Sequence, residues 1–165
     1  MNKAMNSTEL TMTVLMTPEM ANFSGNVHGG TILKFLDEAA FACASRYSAS
    51  YVVTVSVGLV EFREPIHVGE LVSFVARIDS AGRSSMIVSV DVIAEDIRTR
   101  KRRQTNHCYF TMVAMEEGKP KAIPPYVPET EDEKRRDQAA KIRRKLKAEY
   151  LEKLAALQEP SVVFT

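Results

Sequence analysis

With 165 residues, 45% of them hydrophobic and 26% charged, the chain is long enough for one domain with a real core plus an appendage. A formal net charge of +1 gives the chain as a whole no nucleic-acid signature, and no apolar run approaches the roughly 20 residues of a membrane span. The opening MNKAMNSTEL carries no apolar signal core, and Cys43 and Cys108 lack metal-type spacing, so a cytoplasmic protein with buried, reduced thiols is expected.

Residues 9–16, ELTMTVLM, place Leu10, Met12, Val14 and Met16 on one side and Thr11 and Thr13 on the other, the period of a half-buried strand that stops at Thr17-Pro18. The loop EMANFSGNVHGG follows. From Thr31 to about Arg46 the period turns helical: apolar side chains wrap most of the circumference, and Lys34, Asp37 and Glu38 share one narrow polar stripe. A helix so apolar is an enclosed one. Four strand-like runs come next, at 51–63, 70–80, 84–96 and 104–115, separated by PIHVGE, SAGR and the basic turn IRTRKRR. Their short connections favour antiparallel neighbours, and one long helix against one antiparallel sheet makes an α+β domain. EGKPKAIPPYVP, with four prolines, reads as a linker. Residues 129 to about 158 read as a charged helix with Ile142, Leu146, Tyr150, Leu154 and Leu157 on one stripe, followed by the apolar tail PSVVFT. The expected division is a domain over 8–127 and a helical extension over 128–165.

Several residues have two readings on this pattern alone. Asp37 can pair with Lys34 at i, i+3 on an exposed stripe, or serve as a lone carboxylate on a buried helix. Asn26 can be a turn residue with a left-handed backbone. His28, beside a helix start, suits a backbone hydrogen bond, and neither His67 nor His107 has ligand spacing to it, so no metal is expected. RTRKRR, residues 98–103, is either a solvated hairpin tip or an anion-docking site.

The stretch NFSGNVHGGTILKFLDEAA, followed by VVTVSVGLVEFREPIHVGELV, resembles the acyl-CoA thioesterase branch of the hotdog superfamily, that of YciA-like bacterial proteins and mammalian cytosolic acyl-CoA hydrolases, over residues 8–127. The resemblance rests on N-V-H-G-G, an aspartate seven residues after the second glycine, and F-x-x-P-x-x-x-G-E. It implies a hotdog fold, one long helix wrapped by a five- to six-stranded antiparallel sheet, and hydrolysis of acyl-CoA to the free acid and coenzyme A. It implies no cofactor, since coenzyme A belongs to substrate and product, and no serine triad. Self-association as a dimer, or as a trimer of dimers, is implied as well.

For the site, the resemblance implies that Asp37 acts as general base or nucleophile and that Asn26 orients water or the thioester. His28, Gly29 and Gly30, at the helix start, would bring backbone N–H groups to the acyl carbonyl, where orphan amides and the helix dipole favour negative charge. Thr54 is a possible hydroxyl contact, and Arg83, Arg102 and Arg103 are candidate ligands of the nucleotide phosphates. Antiparallel helices across a two-fold axis would join Asn26 of one subunit to Asp37 of another. Two rival functions stay open: a non-hydrolytic acyl-CoA sensor, and a nucleic-acid module built on RTRKRR. The latter is weaker, because no aromatics interleave the basic run.

Overall fold

The computed structural model describes residues 7–157. Along the chain run β1 (Glu9–Leu15), a 3-10 turn (Pro18–Met20), α1 (Gly29–Ser48), β2 (Tyr51–Phe62), β3 (Leu71–Ala81), β4 (Ser85–Glu95), β5 (Arg102–Glu116), the two-residue β6 (Lys119–Pro120) and α2 (Glu131–Ala156). The strands make one antiparallel sheet in the order β1-β3-β4-β5-β2, with β6 paired to β5. One long helix with one side buried on this six-stranded sheet is the α+β hotdog architecture; the expected enclosure is partial, since Leu33 and Phe41 on its other side are exposed.

The alternation along β4 shows how the sheet receives the helix. Met86, Val88, Val90, Val92 and Ala94 are buried on the helix side, whereas Ile87, Asp91 and Ile93 on the other side are partly exposed. α1 meets that face with Ile32, Leu36, Ala39, Ala40, Cys43 and Ala44, all at most 2% exposed. Three of these are alanines, which let the helix backbone lie close to the sheet; Leu36→Ala would open a cavity costing about 2–5 kcal/mol. Burial pushes both thiols, Cys43 and Cys108, up to about 12.

Several boundaries differ from the pattern reading, and three of them matter most for the site. α1 begins at Gly29, two residues before Thr31, because His28 caps it: His28 Nδ1 accepts from the Gly30 N–H at 2.9 Å. The helix ends where Ala49 turns left-handed (φ 50°). β5 begins at Arg102 rather than Gln104, which makes Arg102 and Arg103 strand residues. Inside the proline-rich linker, Glu117 and Gly118, with φ of 49° and 75°, form a tight turn that folds β6 back on β5.

β2 is an edge strand, paired only to β5 among the described residues. Its register breaks twice, between Thr54 and Ser56 and between Gly58 and Glu61. Such bulges re-aim side chains, and here they leave Val55, Val57 and Leu59 49–70% exposed beside the free edge.

The chain divides after Tyr126 into two compact units. In the second, Thr130 and Glu133 form a reciprocal capping box at the start of α2. Ion pairs one turn apart follow, among them Lys141 with Asp137 and Arg136 with Asp132, while Ile142, Leu146 and Tyr150 remain exposed. The expected end of this helix at residue 158, the tail PSVVFT and the first six residues lie outside the described residues.

Candidate active site

The helix start is built by hydrogen bonds that consume most of its free amides. His28 N–H donates to Met20 O, Gly30 N–H to His28 Nδ1, and Thr31 N–H to His28 O. The amides from His28 to Thr31 are therefore not equivalent. Only the Gly29 N–H is left without an acceptor among the described residues, at the positive end of α1. Gly30 serves the cap: a Cβ there would stand 3.1 Å from His28 Nδ1 and push the imidazole off its amide.

Gly29 opens on a cleft of about 320 Å³ lined also by Asn22, Asn26, Phe62, Glu64 and Asn106. Asn22 sits at the head of a tight turn. Its Oδ1 accepts from the N–H groups of Ser24 (2.9 Å) and Asn26 (3.2 Å), so the amide is oriented and its Nδ2 donors have no partner among the described residues. Asn26 is held from the other side, with His67 Nδ1 3.0 Å from its Oδ1. Sequence reasoning singled out Asn26 and passed over Asn22. The available signal was a side chain able to bond turn amides two and four residues on.

Asp37 lies eight residues into α1 from Gly29, about 12 Å along the axis at 1.5 Å per residue. It is partly exposed and opens on a second cleft, of about 490 Å³, lined by Leu33, Val57, Gly58, Leu59, Val60 and Phe110. Apart from Asp37 this lining is apolar, and no residue is common to the two clefts. Thr54 Oγ1 donates to Asp37 Oδ1 at 2.7 Å. Lys34 pairs with Glu38 at 3.8 Å, so the surface-pair reading applies to Glu38 and leaves Asp37 to Thr54.

The three arginines are placed unlike one another. Arg83 is exposed, and its guanidinium has no partner among the described residues. Arg102, with its side chain 58% exposed, has one ion pair, to Glu95 at 3.5 Å. Arg103 is heavily engaged: it donates twice to the buried carboxylate of Glu70, once to Pro65 O at 2.6 Å, and pairs with Glu64 at 3.0 Å. The tip of this hairpin is ordered by Asp96 Oδ1, which accepts from the N–H groups of Arg98 and Thr99, and it presents Arg98, Arg100 and Lys101 to solvent.

A family model for the thioesterase superfamily matches residues 24–101. Protein VdlD of Helicobacter pylori is 46% identical over 140 residues, 85% of this chain and 80% of that protein. The solved acyl-CoA hydrolase of Staphylococcus aureus, in complex with butyryl coenzyme A, coenzyme A and coenzyme A disulfide, superposes with a TM-score of 0.81 at 31% identity, covering 92% of this chain and 93% of that one. An apo-hexameric acyl-CoA thioesterase superposes with a TM-score of 0.83 at 36% identity, covering 92% and 95%. The S. aureus enzyme has also been solved with an asparagine, an aspartate or a threonine replaced by alanine. Those three residues follow one another at intervals of fifteen and seventeen, the spacing of Asn22, Asp37 and Thr54 here.

Proposed function

This chain belongs to the acyl-CoA thioester hydrolases of the thioesterase superfamily, and we propose that it hydrolyses acyl-CoA through Asp37, with an asparagine amide supplied across a subunit interface. The observation that carries this reading is the Asp37 carboxylate, oriented by Thr54 and set in an otherwise apolar cleft suited to an acyl chain.

In the proposed reaction a water oxygen adds to the thioester carbonyl carbon while its proton passes to Asp37. The carbonyl oxygen takes up the negative charge and accepts from the Gly29 N–H, which has no other acceptor among the described residues and so suits that role. The tetrahedral intermediate then collapses, the C–S bond breaks, and Asp37 returns its proton to the departing coenzyme A sulfur. The products are a carboxylic acid and free coenzyme A. No cofactor takes part. Direct attack by Asp37 through a mixed anhydride remains the rival route, and the asparagine amide serves both by holding water or thioester. Asn26 was expected in that role. Asn22 joins it because its Oδ1 is fixed by two turn amides and because its spacing to Asp37 and Thr54 repeats that of the S. aureus residues.

Sharing between subunits is supported by three observations: the asparagines and Gly29 open on one cleft, Asp37 opens on another, and β2 offers a free edge flanked by Val55, Val57 and Leu59. A two-fold pair with antiparallel α1 helices joins the two half-sites, and the hexameric thioesterase suits a trimer of such dimers. Arg83, Arg102 and the hairpin tip at 98–101 are the cations we assign to the phosphates of coenzyme A. A cytoplasmic setting suits two unpaired, buried thiols.

The test is continuous measurement of thiol release from acyl-CoAs of two to eighteen carbons (about that range). Release above the uncatalysed rate supports the reading; saturable acyl-CoA binding without release assigns the chain to non-hydrolytic sensing.

A further inference from the structure

We propose that Arg103 and Glu70 are positioning residues, an ion pair that braces the asparagine loop at the start of α1, and that Arg103 is not a ligand of the substrate's phosphates. The proposal rests on the hydrolase reading only for its kinetic consequence.

Arg103 stands at the beginning of β5 with β4 paired beside it, so its anchor is part of the sheet. Its guanidinium reaches across to the connection between β2 and β3. There it binds both oxygens of Glu70, the carbonyl of Pro65 and the carboxylate of Glu64. Glu70 is 6% exposed, and its Oε2 also accepts the His67 N–H at 2.8 Å. Burial raises the Glu70 carboxyl, but the arginine and this amide outweigh it and hold the group below its usual value, which is what a tightly satisfied carboxylate does. Residues 64–70 are thus pinned at Glu64, Pro65, His67 and Glu70.

The pinned connection in turn holds the asparagines. Val27 N–H donates to Ile66 O at 2.8 Å, Asn26 bridges His67 through the backbone, and His67 Nδ1 meets Asn26 Oδ1. Asn26 then fixes Asn22: Asn22 N–H donates to Asn26 O at 2.7 Å, while Asn26 N–H donates to Asn22 Oδ1. An unbroken series of hydrogen bonds runs from the sheet, through Arg103 and Glu70, to the two amides in the cleft. With four of its five N–H groups engaged and two carboxylates already facing it, this guanidinium has little left to offer an anion.

The two roles for Arg103 predict opposite behaviour for its partner. If Arg103 bound phosphate, Glu70→Gln would release it and lower KM. As a brace, Glu70→Gln and Arg103→Lys act alike: each removes the two-pronged pair, and a small displacement of the amides falls on the chemical step. Kinetics with acyl-CoA at low and high salt should show kcat reduced about ten- to a hundred-fold in both variants, with KM within about two-fold of wild type and no added salt dependence. Amide hydrogen exchange at Asn26 and Val27 should quicken about ten-fold or more, with protection in β3 and β4 unchanged. Should Glu70→Gln fail to fold, Glu70→Asp, which keeps the charge but shortens the reach, takes its place. A salt-dependent rise in KM at unchanged kcat for Arg103→Lys, or unchanged exchange at Asn26 and Val27, overturns the proposal. If wild type releases no thiol from any acyl-CoA, the hydrolase reading fails, and the exchange measurement alone decides the brace.

Discussion

Thr54 and Asp37, on the first strand after the helix and on the helix itself, are joined by a 2.7 Å hydrogen bond in which the hydroxyl donates to Asp37 Oδ1. The bond occupies one carboxylate oxygen and leaves Oδ2 without a partner among the described residues. It also ties the helix's acid to the neighbouring strand, so the strand helps to decide where that acid is presented. Hydrogen bonds to a charged group are worth more than neutral ones, about 1.5–3 kcal/mol.

Asp37→Asn keeps the shape and the Thr54 partner but removes the base. Turnover on the best acyl-CoA should fall about 100-fold or more with the fold and assembly retained. Thr54→Val should cost less, about ten-fold in turnover. Thiol-release kinetics beside circular dichroism check both, and an Asp37→Asn enzyme of near wild-type turnover removes Asp37 from the mechanism.

Mixing inactive subunits tests the shared site. Asn22→Ala and Asp37→Ala are each expected to be nearly inactive, with Asn26→Ala milder than Asn22→Ala. Unfolded and refolded together in equal amounts, half of the dimers are mixed, and each mixed dimer carries one intact site of two. Activity should recover to about a quarter of wild type. Recovery near zero, with mixed dimers confirmed by tagged-subunit pulldown, places both residues of a site in one chain.

Arg102→Ala should raise KM for acyl-CoA a few-fold at low salt, with kcat nearly unchanged and the effect shrinking as salt rises, because among the described residues its exposed guanidinium has only the 3.5 Å contact to Glu95. Acyl-CoA titrations at two salt concentrations measure this. A KM indifferent to Arg102 at low salt returns the residue to a solvated strand end.

Cys43 and Cys108, buried and held at about 12, should resist a disulfide-exchange reagent at pH 7–8 in the native protein and react fully in denaturant. Thiol titration before and after guanidinium reads both states. Rapid labelling of the native chain would show that the helix opens from the sheet.

Glu70 carries a pH dependence of stability whose sign follows from its depressed value. The folded form binds its proton less readily than the unfolded chain, so the Arg103–Glu70 pair stabilises above the ordinary carboxylate value of 4.5 and loses that contribution as pH falls through the lower folded value. Urea midpoints should drop as pH falls below the ordinary value of 4.5 in wild type, and less steeply in Glu70→Gln. Equal slopes in both proteins would exclude Glu70 as a source of the acid sensitivity.

The order of elements was legible because hydrophobic period is local information. Alternation in ELTMTVLM and the nearly all-apolar circumference of 31–46 each state what a segment must bury, so strand, enclosed helix and four further strands could be read in sequence. Element ends were less legible where a side chain or a turn set them. The cap by His28 moved the helix start to Gly29, and the Glu117-Gly118 turn produced a strand in a segment that proline content marked as a linker.

The candidate site was legible as residue types and spacing, and Asp37, Thr54 and the HGG turn all stand in it or at its edge. Which partner each side chain takes was decided by the tertiary structure, because that depends on segments far apart in sequence. Asp37 could choose Lys34 or Thr54, and only the packing of β2 beside α1 settles on Thr54, leaving Lys34 to Glu38. Arg102 and Arg103 are adjacent and of one type, yet strand alternation turns Arg103 toward Glu70, 33 residues away, and leaves Arg102 in solvent. Composition and period thus determined the helix, the sheet and the presence of a carboxylate on an otherwise apolar helix. Tertiary structure decided which charges are spent holding the loops and which remain for a ligand, since an ion pair forms only where the fold brings its two ends within reach.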